Sequence, residues 1–242
     1  MEEQFYKGFS SLVIHAGHQK ESTNAHVTPV YASSSYVFDN AEQGMKRFSG
    51  EEEGYMYARF GHPGAREAEE KIAMLEGFKI GDEGKNLPLK AILHSSGMAA
   101  ISTLMFMNLK KGDKVLTHFS LYGGSDELLQ NVLPHFGVGV VMADLNNPET
   151  AEEIIKKDAS IRMIYAETPA NPTLRCVDLQ TLGSIANIRG RLGTQLSYQL
   201  LYRHAADEVR AVDFFFLAID ADLKRGHRAG LPENLLDARF HL

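Results

Sequence analysis

From residue 63 onward the apolar positions fall into two alternating rhythms. Ala68, Ile72 and Leu75 recur at intervals of four and three, so one face of a helix is apolar. Pro63-Gly64-Ala65-Arg66 opens that helix, with proline where the first turn tolerates it, and Gly77 is placed to supply a left-handed cap. Short apolar runs then predict strands at 91–94, 115–119, 137–143 and 161–166. Longer stretches between them predict helices at 97–109, 125–133, 148–157 and 179–189. Strands that alternate with helices imply an α/β fold, with a mostly parallel sheet flanked by helices on both faces. In such sheets ligands sit beyond the carboxyl ends of the strands.

Residues 1–55 read differently. They are rich in Ser, Gly, His and Tyr, show no helical period, and include the extended segments Thr28-Pro29-Val30-Tyr31 and Ser33-Ser34-Ser35-Tyr36-Val37-Phe38. They read as an N-terminal arm ordered by packing on something else. The expected organisation is therefore an arm at 1–55, an α/β domain at 56–190, and a tail at 191–242.

Composition narrows the class. The chain has 242 residues, 44% of them hydrophobic, enough for one substantial core. A net charge of −6 with scattered Lys and Arg offers no basic stripe for nucleic acid. Glu51-Glu52-Glu53 reads as a solvated loop. Cys176 is the only cysteine, so no intrachain disulfide forms and a reducing compartment is expected. The acidic start lacks the apolar core of a signal peptide, and no window reaches the ~20 apolar residues of a membrane span. The expectation is a cytoplasmic protein that makes no membrane contact.

Candidate chemistry gathers at the turns. Ser95-Ser96-Gly97-Met98 joins a strand to a helix. It reads either as an ordinary turn or as an anion site, with free N–H groups at the helix start and the Ser96 hydroxyl beside them. Tyr122-Gly123-Gly124 follows the next strand, and the Tyr122 ring can pack on the core or lie flat against a planar ligand. Tyr57 and Arg59 are two apart and face the same way in an extended segment, as a phosphate clamp or as solvated side chains. Glu167 and Asn171 flank Pro169 on a turn stiffened by two prolines, a platform that favours function over plain turn chemistry. The histidines show no metal-binding spacing, and Cys176 reads as a small buried residue.

Taken in this order, the motifs are specific. Residues 12–185 resemble the Cys/Met-metabolism (trans-sulfuration) family of enzymes dependent on pyridoxal phosphate (PLP). Ile14-His15-Ala16-Gly17 with Val27-Thr28-Pro29-Val30-Tyr31 is similar to the family's opening, and residues 55–63 to its tyrosine–arginine–proline segment. The resemblance implies a truncated large domain of the aspartate aminotransferase-like PLP-dependent transferase fold. It implies PLP as cofactor, with Tyr57 and Arg59 reaching the phosphate in a neighbouring subunit. Ser96, Gly97 and Met98 would bind the phosphate too. Tyr122 would stack on the pyridine ring and serve in proton transfer, Asn171 would bond the ring hydroxyl oxygen, and Glu167 would orient groups around it. The implied reaction is elimination or replacement at the β or γ carbon of a small amino-acid substrate, by a homodimer or homotetramer.

The resemblance also has departures. His62 and Gly64 stand where the family has Asn and Thr. Past Asn187 the family's Asp-Asn-Thr and Ser-x-Thr-Lys, whose lysine forms the Schiff base, have no counterpart. The only later lysine is Lys224, in Asp222-Leu223-Lys224-Arg225-Gly226-His227, which reads as a solvated basic cluster. Residues 191–242 therefore read as a replaced or out-of-frame tail. The chain is expected to be inactive, either a trans-sulfuration enzyme by descent or a catalytically dead PLP- or phosphate-binding module.

Overall fold

A parallel sheet of three strands organises the larger of two compact units. The computed structural model describes residues 8–18, 25–78, 86, 89–170 and 173–187. Of the two units, one holds the described residues up to Ala91 and the other those from Ile92 onward.

The second unit contains β1 (Lys114–His118), β2 (Gly139–Ala143) and β3 (Ile161–Tyr165), in the order β2-β1-β3. Both ladders are parallel, with Leu116 opposite Val141 on one side and Ile164 on the other. Among the described residues, helices α4 (Gly97–Asn108), α5 (Gly123–Glu127), α6 (Pro148–Lys157) and α7 (Leu179–Asn187) accompany the sheet. Consecutive residues of β1 feed opposite cores. Val115 joins Ile101, Met105, Leu129, Leu133, Met163 and Tyr165 on the face that carries α4 and the helical stretch after α5. Leu116 joins Ala151, Ile155, Ile164, Leu182 and Ile185 on the face that carries α6 and α7. Each large aliphatic side chain withdrawn from water this way contributes about 1.5–3 kcal/mol. The sheet flanked by helices on both faces is the arrangement expected from the alternation of elements.

Three sequence expectations in this unit need correction. Residues 91–94 form no strand: the sheet of the described residues has three members, and an apolar run becomes a strand only where a neighbour offers a ladder. The helix expected at 125–133 begins at Gly123 and changes pitch. It passes into a π-helical turn at Leu128–Val132 and then a 3-10 turn at Leu133–Phe136. Pro134 has no N–H for the carbonyl four residues back and its ring crowds that group, so the regular pitch cannot continue. Cys176 is exposed rather than buried.

The first unit is helical. It holds α1 (Phe9–His15), α2 (Ala41–Ser49) and α3 (Pro63–Glu76). The first two lie in the stretch expected to be irregular. The signal for α2 was present in its ends: Asn40 accepts from the Gln43 N–H at 2.9 Å, the Gln43 amide oxygen accepts from the Asp39 N–H at 2.8 Å, and Gly50 closes the helix in the left-handed region. Gly77 ends α3 with φ −81°, a right-handed conformation and not the left-handed cap expected. The left-handed glycine that matters here is Gly17, at φ +74°, where a Cβ would stand 2.4 Å from the Glu67 carbonyl oxygen of α3. Only glycine permits that approach between the end of α1 and α3. Among the described residues no helix is long and apolar enough to cross a membrane.

Two predictions follow from this packing. Gly17→Ala combines a left-handed backbone with a clash, and is expected to lower the stability of the first unit by about 2 kcal/mol or more in urea denaturation. Lys114 at the start of β1 donates to Asp158 at 2.7 Å, and Ser160 donates to the same carboxylate. The lysine first, then the serine, hold that carboxyl well below the usual aspartate range. A depressed carboxylate stabilises the fold above the unfolded aspartate value of ~3.9, and that contribution is lost as pH falls below it. The stability gap between wild type and Asp158→Asn should therefore be open at pH ~6 and narrow toward pH ~3, measured by denaturation at both.

Candidate active site

Three turns of the second unit meet, one at the start of α4 and two at the carboxyl ends of β1 and β3. The first opens α4. Ser96 caps it, its Oγ accepting from the Ala99 N–H at 3.1 Å, while the Ala100 N–H bonds the Ser96 carbonyl. The N–H groups of Gly97 and Met98 precede the first acceptor available within the helix, so they remain for an anion at the positive end of the helix dipole. The capping bond uses a lone pair of Ser96 and leaves its proton to donate.

The second turn follows β1 and carries Tyr122 as the N-cap of α5. The Tyr122 side chain is 43% exposed, so its ring is available to a partner and is not core packing. Gly124 shapes its place. A Cβ there would stand 2.7 Å from Tyr122 Cε1 and 3.1 Å from the Met98 sulfur. The bare Cα of Gly124 thus lets the Tyr122 ring and the side chain of the α4 turn close on one point.

The third turn follows β3. Glu167 is buried at 2% exposure. Its Oε2 accepts from the Tyr122 N–H at 2.6 Å, and its Oε1 accepts from the Tyr165 hydroxyl at 2.8 Å. Ser125 Oγ is 3.3 Å from the same phenol oxygen. Burial, and then the charge of Glu167, push the Tyr165 phenol well above its ordinary value, so it keeps its proton and remains a donor. Both carboxylate oxygens are therefore occupied by protein groups. The peptide bond between Thr168 and Pro169 is cis, and Ser120 and Thr173 hydroxyls meet at 2.6 Å beside this turn. Asn171 lies outside the described residues, as does Lys224.

Tyr57 and Arg59 belong to the first unit. An antiparallel bridge pairs Ser35 with Tyr57, and the Ala58 N–H bonds the Ser34 carbonyl at 2.8 Å. The Arg59 guanidinium sits 4.9 Å from the Tyr57 ring centroid and 6.0 Å from that of Phe60. The cation is held by aromatic faces and exposed, with its N–H fork free for an anion. Just beyond, His62 caps α3: its Nδ1 accepts from the Gly64 N–H at 3.2 Å, and its Nε2 is 3.0 Å from the Tyr31 carbonyl.

The structure thus brings Met98, Tyr122 and Glu167 together and pairs Tyr57 with Arg59. It adds Gly124, Ser125 and Tyr165, which the sequence reading did not single out as site residues. Gly124 was legible as part of the Tyr122-Gly123-Gly124 turn; the other two gain their meaning only from partners distant in sequence. Gly124→Ala is expected to displace the Tyr122 ring while leaving α5 formed, seen as a changed near-ultraviolet circular dichroism with far-ultraviolet signal retained.

The model of the family described as Cys/Met metabolism PLP-dependent enzyme matches residues 10–194. An L-methionine gamma-lyase of Fusobacterium nucleatum subsp. nucleatum is 42% identical over 180 residues, which are 74% of this chain and 42% of that one. An O-succinylhomoserine sulfhydrylase of Pseudomonas aeruginosa is 32% identical over 184 residues, 76% of this chain and 43% of its own. The crystal structure of cystathionine gamma-lyase from Lactobacillus plantarum, complexed with L-serine, aligns with a TM-score of 0.63 at 26% identity. It covers 79% of this chain and 44% of that one. The chain spans less than half the length of the curated relatives it matches.

Proposed function

The chain belongs to the Cys/Met-metabolism family of PLP-dependent enzymes, and from that premise we propose that it is the cofactor-binding part of a trans-sulfuration enzyme. The observation that carries the reading is the junction at Gly124, where the exposed Tyr122 ring meets the α4 turn with its open N–H groups. A planar ring bearing a phosphate matches both halves of that junction. The described donor set fits: Gly97 and Met98 N–H groups and the Ser96 hydroxyl for the phosphate, with Tyr122 for the ring face; Asn171, outside the described residues, is given the ring hydroxyl by the family resemblance alone. Bound PLP supplies an electron sink for the carbon that bears the substrate amino group. Tyr122 then orients the ring and holds or moves a proton at its hydroxyl, near a leaving group on the β or γ carbon. Glu167 acts through the protein, fixing the turn that carries Tyr122. The substrate class is a small sulfur-containing or O-acylated amino acid, handled by elimination or replacement.

Arg59 is exposed, and the phosphate it serves is that of a second copy, which makes the working unit at least a homodimer. With one cysteine, exposed Cys176, the chain suits a reducing cytoplasm. Arg59→Ala should remove a charge-assisted contact and weaken PLP binding by on the order of 1.5–3 kcal/mol in a fluorescence titration. Equal affinity of variant and wild type would refute the phosphate assignment.

No Ser-x-Thr-Lys occurs in the 242 residues, which favours a second reading: a module that holds PLP without catalysis. Borohydride reduction of the PLP-loaded chain, followed by mass spectrometry, separates the two. Non-covalent retention with no lysine adduct, and negligible lyase or synthase turnover, is the expected result. A stoichiometric adduct on Lys224 would restore the catalytic reading to this chain as it stands.

A further inference from the structure

We propose that Tyr165 is a positioning residue for Tyr122, acting through the Glu167 carboxylate to set the turn on which the Tyr122 ring is mounted. The proposal rests on the reading that this ring faces the cofactor. Its basis is a chain of three groups from three places in the sequence. Glu167 is almost wholly buried, and a carboxylate so placed must be matched by donors. Two are in contact with it, one per oxygen: the Tyr122 N–H at 2.6 Å and the Tyr165 O–H at 2.8 Å. The first belongs to the turn that has to be placed. The second belongs to β3 and to the core, where Tyr165 is 1% exposed among residues of α4, β1 and the π-helical turn.

The two ends of this chain differ in freedom. Tyr122 sits at the start of a five-residue helix with no side-chain cap of its own. Tyr165 is held by a parallel ladder and by packing. Order therefore passes from β3 outward. The Tyr165 hydroxyl fixes one carboxylate oxygen, the rigid carboxylate plane fixes the other, and that oxygen fixes the Tyr122 amide. Ser125 Oγ, 3.3 Å from the phenol oxygen and inside α5, ties the same donor to the helix that Tyr122 begins. Removing the hydroxyl leaves Glu167 free to rotate in a buried site with one donor in place of two.

Tyr165→Phe in the full chain keeps the buried ring and deletes only the hydroxyl. Hydrogen exchange at the Tyr122 amide should accelerate ~tenfold, the equivalent of one hydrogen bond to a charged group, while the Val115 and Leu116 amides stay protected. Titrated with PLP, the variant should show a weakened induced circular dichroism of the cofactor band, since the sign and size of that band report ring orientation. Unchanged Tyr122 exchange, or a wild-type band, would overturn the proposal. A wild type that shows no cofactor band at all would instead sink the cofactor reading, leaving the exchange measurement to decide the role of Tyr165 alone. If Tyr165→Phe fails to fold, Glu167→Gln replaces it: an amide oxygen is the weaker acceptor, so faster Tyr122 exchange supports the relay and wild-type exchange refutes it.

Discussion

The central strand imposes the constraint from which the second unit follows. Val115, Leu116, Thr117 and His118 are all buried. Every backbone group of such a strand must find a partner, and both of its faces must be covered. β2 and β3 meet the first demand as parallel neighbours on either edge. The two apolar clusters meet the second, one through α4 and the π-helical and 3-10 turns after α5, the other through α6 and α7. Parallel pairing has a further effect. It makes the chain leave β1 and β3 at the same end, so the turns carrying Tyr122 and Glu167 meet although they stand far apart in sequence. Chemistry at that end is a result of topology before it is a result of any side chain.

The side chains then divide into those that present and those that hold. Ser96, Gly97 and Met98 present donors because a helix start has donors to spare. Tyr122 presents a ring because Gly124 leaves room for it. Glu167 presents nothing outward, since both its oxygens are bound within the protein. A buried carboxylate between a backbone amide and a phenol makes a stiff joint, because neither donor can be replaced by water at that depth. The first unit holds its cation differently, with aromatic faces around an exposed Arg59.

Much of this was legible in the sequence, and what was not has identifiable physical causes. The strands of the second unit were placed within two residues at either end because parallel, doubly covered strands read as short apolar runs between turn residues. The run at 91–94 has the same local character yet forms no strand, since pairing is a property of neighbours. α2 was missed because its apolar face is thin, although Asn40, Gln43 and Gly50 marked both its ends. In the site, Ser96, Tyr122 and Glu167 stand in recognisable turns, and so could be found from local pattern. Tyr165 could not, for within β3 it reads only as another apolar position. Its hydroxyl acquires meaning from Glu167 two residues on and from Ser125 forty residues back.

The histidine at the head of α3 carries a consequence of a different kind. A backbone amide can only donate and a backbone carbonyl can only accept, so the contacts of His62 with Gly64 and Tyr31 together admit one tautomer. Nδ1 must offer its lone pair and Nε2 must hold the proton. Turned over about its Cβ–Cγ bond, the ring would set a carbon where each nitrogen now stands, and both contacts would be lost together. One ring in one orientation therefore joins the Tyr31 segment to the first turn of α3.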